Sequence, residues 1–238
     1  MDWLSVDNRC MSATQEEETE LGYQFRFWFV GVQPIIWRRV VLRSNHTLAD
    51  FHYAIQITCN WSDYFLHQFK IHGQTVGTPR QFGLTYSRMA DQVRLSDLEL
   101  RIKERFIYEY NFIDRWQLEV RLEERCSLDE NKVYPLCIGG KRAAPPEDCG
   151  GPERFNRLRK HFSPYYIYHR ILELHDLYER REQLSEDELY DYEERQQEFS
   201  RFRYWSSVDK FDRRTVNKRL KQYAFNDDSW RDVEEVSW

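Results

Sequence analysis

The chain has 238 residues and no apolar run near the ~18 that a membrane helix needs. Its longest apolar stretches are interrupted by arginine, as in Ile35-Ile36-Trp37-Arg38-Arg39. A secretory leader is not expected either, because Asp2, Asp7, Glu16, Glu17, Glu18 and Glu20 occupy the first twenty positions where an apolar region would lie. Cysteines are few, odd in number and widely spaced: Cys10, Cys59, Cys126, Cys137 and Cys149. That argues against a disulfide scaffold, and the missing C-x-x-C removes the strong zinc-ribbon and thioredoxin signatures. A reducing cytosol is the expected location. A large excess of one charge is also lacking: 35 basic against 40 acidic residues leaves a net charge of -5. A balance of this kind argues against whole-surface attraction to nucleic acid or anionic lipid, without excluding a local basic patch. The sequence contains no H-E-x-x-H, no G-x-S-x-G, no glycine-rich phosphate loop, no internal repeat and no low-complexity segment.

Aromatic residues, in contrast, are abundant: 8 Trp, 15 Tyr and 15 Phe. Disordered chains lack such apolar side chains, so a packed globular protein is expected. Residues 1–21 are polar and acidic and read as a flexible tail. The pattern then changes. Tyr23, Phe25, Phe27 and Phe29 alternate with polar positions at the strand period of two, Gly31-Val32-Gln33-Pro34 turns the chain, and residues 35–43 continue extended, which suggests a hairpin. Thr47 with Asp50 resembles a capping box, and Leu48, Phe51, Ile55 and Cys59 share one face of the helix that follows. Residues 66–72 read as a third strand, and residues 74–100 mostly as loop. Phe106, Tyr108, Tyr110 and Phe112, then Trp116, Leu118, Val120 and Leu122, form the aromatic-aliphatic face of a second hairpin around Asp114, with charged residues on its other face. Residues 131–152 are a Cys/Pro/Gly loop. Beyond it the chain is helical, with Ser163-Pro164, Ser185 with Glu188, and Asp212 as helix starts. Ile167, Ile171, Leu174 and Tyr178 form an apolar stripe on the first of these helices. The order predicts an α+β fold: a β-grasp-like mixed sheet with a packed helix over residues 22–152, and a helical C-terminal part, residues 153–238, packed on it.

Three stretches resemble the plasmid pRiA4b Orf-3-like family, whose members are passengers of plasmids and transposable elements. The first runs from Gly31-Val32-Gln33-Pro34-Ile35-Ile36-Trp37-Arg38-Arg39-Val40 through Thr47-Leu48-Ala49-Asp50-Phe51-His52 to Trp61-Ser62-Asp63 and Leu66-His67-Gln68-Phe69. The second is Tyr108-Glu109-Tyr110-Asn111-Phe112 with Asp114 and Trp116. The third is Tyr134-Pro135, Cys137, Gly140 and Pro145-Pro146-Glu147-Asp148-Cys149-Gly150-Gly151-Pro152. The likeness covers about residues 23–152 and returns at Phe211-Asp212 and Val216-Asn217-Lys218-Arg219-Leu220, with no counterpart placed for residues 175–205. It implies a fold and a bacterial mobile-DNA setting, and no established chemistry. The chain departs from the family at Asn111, Ile113, Leu118 and Ala144, where members commonly carry Asp, Gly, His and Cys. If those polar positions formed a metal or catalytic site, part of it is lost here.

Candidate chemistry falls in three places. Cys137, Cys149 and His67 offer themselves as zinc ligands, but a structural zinc wants four, and two buried cysteines beneath a rigid loop are the plainer reading. His67, Asp114, Trp116, Glu147 and Asp148 mark a ligand-binding surface around the hairpin tip and the 145–151 loop. Adjacent carboxylates diverge in an extended loop, so Glu147 and Asp148 read as structural rather than as an acid–base pair, with Asp148 accepting backbone N–H bonds of the glycine turn. Residues 201–221 interleave Arg213, Arg214, Lys218 and Arg219 with aromatic rings, a composition suited to nucleic acid. The acidic helix before it, with Glu182, Glu186, Asp187, Glu188, Asp191, Glu193, Glu194 and Glu198, would neutralise that field. The leading expectation is a non-catalytic binding or interaction module with an unknown protein partner, no cofactor and no membrane association. A nucleic-acid-binding accessory protein is the alternative, and a degraded metal-dependent hydrolase the weaker third.

Overall fold

The computed structural model describes residues 21–79, 85–185, 189–190, 192 and 198–232. The N-terminal tail, the Glu188 half of the Ser185 capping box and most of the acidic stretch before residue 198 lie outside the described residues. One mixed sheet of eight strands organises the molecule: β1 (Leu21–Phe29), β2 (Trp37–Arg43), β3 (His67–Ile71), β4 (Gln74–Gly77), β5 (Arg88–Met89), β6 (Arg105–Tyr110), β7 (Trp116–Ser127) and β8 (Leu136–Lys141). Their spatial order is β5-β4-β3-β6-β7-β1-β2-β8. Every pairing is antiparallel except β4 with β5 at one edge. The fold is thus α+β with a mixed sheet. The β6–β7 hairpin inserts between β3 and β1, so β1 is flanked by two antiparallel neighbours, β2 and β7.

The period-two pattern decides which side chains enter the core. Phe25, Phe27 and Phe29 on β1, Phe106, Tyr108 and Tyr110 on β6, and Trp116, Leu118, Val120 and Leu122 on β7 are buried on one face. The opposite face is polar and carries cross-strand ion pairs: Arg39–Glu123, Lys70–Glu109 and Arg105–Glu119.

Helix α1 (Leu48–Cys59) covers the apolar face. Thr47 and Asp50 form the expected capping box, and Asn60 in the left-handed conformation ends the helix. Phe51 packs between Phe25 and Phe69, with ring centroids 4.7 and 6.0 Å away. The C-terminal helices are α2 (Gly151–His161), α3 (Pro164–Glu179), α4 (Glu198–Ser207) and α5 (Arg213–Ala224). Ser163 and Asp212 cap α3 and α5 as expected. The stripe expected on α3 is narrower: Ile167 and Leu174 are buried, whereas Ile171 and Tyr178 are exposed. Phe155 of α2 and Phe162 meet Trp205 of α4 at 5.4 and 5.5 Å. Helix α5 docks on α1 through Tyr223 Oη, which donates to Asp50 at 2.7 Å, and Arg219, which donates to Asn60 and to the Trp230 carbonyl.

Strand β8 lies in the segment expected to be loop. It pairs with β2, and its Gly140 is required: a Cβ there would come within 2.4 Å of the Phe211 ring that packs over it. A cysteine and two glycines hide the strand pattern, because the residues serve close approach rather than a pleated face.

Candidate functional site

The 144–151 loop crosses the end of the β6–β7 hairpin, and Glu147 is its anchor. The Glu147 carboxylate accepts from the Ser62 amide at 3.1 Å, the Ser62 hydroxyl and the Tyr110 hydroxyl. Its backbone carbonyl accepts from Asn111 Nδ2 at 2.7 Å and Trp116 Nε1 at 2.9 Å. Trp61 Nε1 donates to the Pro145 carbonyl at 2.8 Å and stacks on Tyr110 at 4.7 Å. Burial and then the neighbouring Glu147 push the Tyr110 hydroxyl far above the ordinary tyrosine range. Charge-assisted bonds to one carboxylate from two elements weld the loop to the sheet.

Of the residues expected to mark a surface, His67 and Trp116 are internal, Asp114 and Glu147 are partly exposed, and Asp148 is exposed. Trp116 is fully buried and His67 is 2% exposed. The glycine turn is held by Asp114, which accepts from the Gly150 amide at 2.7 Å. Asp148, expected in that role, is exposed. Gly151 has φ +78°, and a Cβ there would lie 2.4 Å from the Asp114 carbonyl oxygen.

His67 stacks on His52, with ring centroids 3.5 Å apart and planes 11° from parallel. His52 belongs to a closed ring of hydrogen bonds whose protons can be assigned. The Asp63 amide donates to Gln56 Oε1 at 3.1 Å, so Gln56 Nε2 donates to Tyr108 Oη at 2.9 Å. Tyr108 then donates to His52 Nδ1 at 2.8 Å, which leaves the imidazole proton on Nε2, donating to Asp63 at 2.8 Å. Burial holds the Tyr108 hydroxyl well above its ordinary range, in keeping with a phenol that keeps its proton.

Among the described residues, His52, Asp63 and His67 are the one group of three potential metal ligands brought within 4.8 Å of one another. As arranged they fit a shared ion poorly. The hydrogen-bond ring fills the His52 Nε2 lone pair with a proton, and an ion shared by parallel rings would lie off both lone-pair directions. Cys137 and Cys149 are not in this group. Both are buried, and Cys137 Sγ lies 3.4 Å from the Gly139 carbonyl. Burial raises the Cys137 thiol and pushes that of Cys149 to about 12.

A deep groove lies on the other side of the loop. It has a volume of about 990 Å³ and runs between the C-terminal end of α1, residues 143–148, the end of α4 and the first turns of α5. Ile57, Cys59, Phe65, Pro145, Phe211 and Val216 supply apolar walls. Arg38 is at the floor. Strand alternation turns it inward with Val40 and Leu42, and it is 1% exposed. Its Nε donates to the Thr58 carbonyl in the last turn of α1 at 2.9 Å, and Nη1 to the carbonyls of Trp37 and Lys141 at 2.9 and 3.2 Å. Its guanidinium lies 4.0 Å from the Phe211 ring centroid. Burial lowers its pKa. Periodicity could not reveal this groove, since its walls come from segments more than 150 positions apart.

The four basic residues suited to nucleic acid separate. Arg213 donates to the Ile138 carbonyl and Arg219 to Trp230 and Asn60, so both serve the fold. Arg214 and Lys218 are exposed on α5.

Comparison with known proteins agrees with the resemblance and extends it. The crystal structure of a protein of unknown function, MM3350 from Methanosarcina mazei Go1, is 32% identical, with a TM-score of 0.53 over 70% of this chain and 91% of that one. The uncharacterized protein y4hQ of Sinorhizobium fredii is 29% identical over 122 residues, and the match spans 51% of this chain and 62% of that protein. The family model for plasmid pRiA4b ORF-3-like proteins matches residues 22–217, which takes in the 175–205 segment for which the sequence suggested no counterpart. The chain belongs to the plasmid pRiA4b ORF-3-like family.

Proposed function

We propose that this protein is a non-catalytic binding module of a bacterial plasmid- or transposon-encoded system, and that it takes its ligand in the groove between α1, the 143–148 loop, α4 and α5. The groove itself carries the reading. Ligand sites are concave, mostly apolar and furnished with a few placed polar groups, and about 990 Å³ is the size of a small-molecule site. Three of the polar groups at its edge are already engaged in holding structure. Glu147 is bound by Ser62 and Tyr110, Asp212 by the first amides of α5, and Ser207 by carbonyls of its own helix. Such groups orient a ligand and are poorly placed to exchange protons with it. The free cysteines at 59, 126, 137 and 149 support a reducing, cytoplasmic setting.

The test is to fill the groove. Val216→Trp places an indole within it, on a side chain that is only partly buried. A fragment library is screened by ligand-observed NMR against both proteins. Fragments that bind the parent and lose binding in the variant support the reading. Fragments that bind both equally place the site elsewhere and overturn it.

A further inference from the structure

Arg38 breaks a general rule. Arginine is almost never fully buried unless it is paired, because an uncompensated buried charge is costly. Here, among the described residues, no carboxylate pairs with it. Three backbone carbonyls engage Nε and Nη1, and the Nη2 amino group makes no hydrogen bond among the described residues. The nearest negative potential is the C-terminal end of α1, a partial charge of about half an electron. The last turn of α1 contains no basic residue of its own, so Arg38 caps the helix from the sheet. That role uses one edge of the guanidinium and leaves a full positive charge with spare donors at the floor of the groove.

The other charges lining the groove are distributed unevenly. Glu147 is saturated by its three donors. Asp148 and Asp212 are exposed, so water and salt screen them. Of the other cations, Arg219 donates to a carbonyl and an amide rather than to a carboxylate, and burial lowers its pKa. Lys210 is exposed at the rim and makes no ion pair among the described residues. Deep in the groove the field is positive, and it is bounded by Ile57, Phe65, Phe211 and Val216.

From this we infer that the groove selects an amphiphilic carboxylate: an apolar body lying against the aliphatic and aromatic walls, with its anionic head on Arg38 Nη2 and Lys210 Nζ. The inference rests on the groove being the binding site and adds the charge of the ligand. A carboxylate completes the counter-charge that the α1 dipole supplies only in part.

The experiment compares 2-naphthoate with its neutral isostere 2-naphthamide by isothermal titration, using the full chain, Lys210→Glu, Val216→Trp and Arg38→Gln. The expected result is that naphthoate binds the parent about tenfold or more tightly than the amide. Lys210→Glu, an exposed change that leaves the fold intact, should reduce that preference severalfold. Arg38→Gln should abolish the preference if it folds by circular dichroism, and Lys210→Glu decides alone if it does not. Val216→Trp should weaken both probes. Equal affinity for acid and amide, both lost in Val216→Trp, would overturn the carboxylate selection and leave the groove standing as a site. An acid preference that Lys210→Glu and Val216→Trp leave unchanged lies elsewhere and overturns it too. Absence of binding by either probe contradicts both the selection and the site.

Discussion

The two sides of the 144–151 loop are built from neighbouring residues and differ in kind. On its inner side every polar group has a partner: Glu147 binds Ser62, Tyr110, Asn111 and Trp116, and Asp114 binds Gly150. On its outer side Pro145 and Pro146 face a groove whose deepest charge, Arg38, meets carbonyls and the Phe211 ring but, among the described residues, no carboxylate. The polar signature that makes this loop conspicuous builds its attachment, and the plain residues form the recess. A carboxylate beside glycines can thus look like chemistry and be a fastening.

The largest effect expected from breaking that contrast is Glu147→Ala. It leaves the buried Tyr110 proton without its acceptor, with the Phe65 amide still donating to the oxygen, and releases Ser62, so urea unfolding should show a loss of about 3 kcal/mol. A loss under 1 kcal/mol would mean that the inner side is not a weld. Gly151→Ala comes next. A Cβ 2.4 Å from the Asp114 carbonyl, in left-handed backbone, should cost about 2 kcal/mol in the same assay.

The third effect is a pH dependence. Burial holds Tyr108, Tyr110, Tyr204 and Tyr223 above the ordinary tyrosine range, and the carboxylates beside Tyr110 and Tyr223 add to it. Above pH ~10 the unfolded chain loses phenolic protons that the folded chain keeps. Their contribution is therefore fully present below pH ~10 and is lost as pH rises from there toward the folded values, by up to about 1.4 kcal/mol per unit for each tyrosine. Tyr110→Phe should make the alkaline slope of the unfolding free energy shallower, whatever its absolute effect. An unchanged slope would show that Tyr110 titrates normally. The smallest effect belongs to the outer side: Lys210→Ala should change stability by less than about 0.5 kcal/mol. A larger loss would make Lys210 part of the scaffold rather than of a ligand rim.

Much of the sheet was legible because its signals are local. Alternating aromatics at 23–29 and 106–122, the Thr47–Asp50 box and the Ser163 and Asp212 caps each declare themselves within a few residues. Strand β8 did not, because glycines chosen for the approach of Phe211 and Trp37 erase the alternation. The candidate site was less legible still. Arg38 drew no functional reading from sequence, and its place at the groove emerges only once β2 lies under the end of α1. His52 and His67 read as separate histidines until α1 is laid across β3. Asp114 accepts from the Gly150 amide, a bond that residue spacing alone would not assign to it, since that amide faces the hairpin. These are tertiary facts that residue spacing does not carry.

The central claim is that the inner side of the loop is structure and the outer side is the place of binding. Amide chemical-shift mapping with 2-naphthoate tests it most directly. The account predicts shifts at Ile57, Cys59, Asn60, Ala143, Thr215 and Val216, with the Asn111 and Trp116 resonances nearly still. Shifts concentrated at Asn111, Asp114 and Trp116, or at the exposed Arg214 and Lys218, would contradict it.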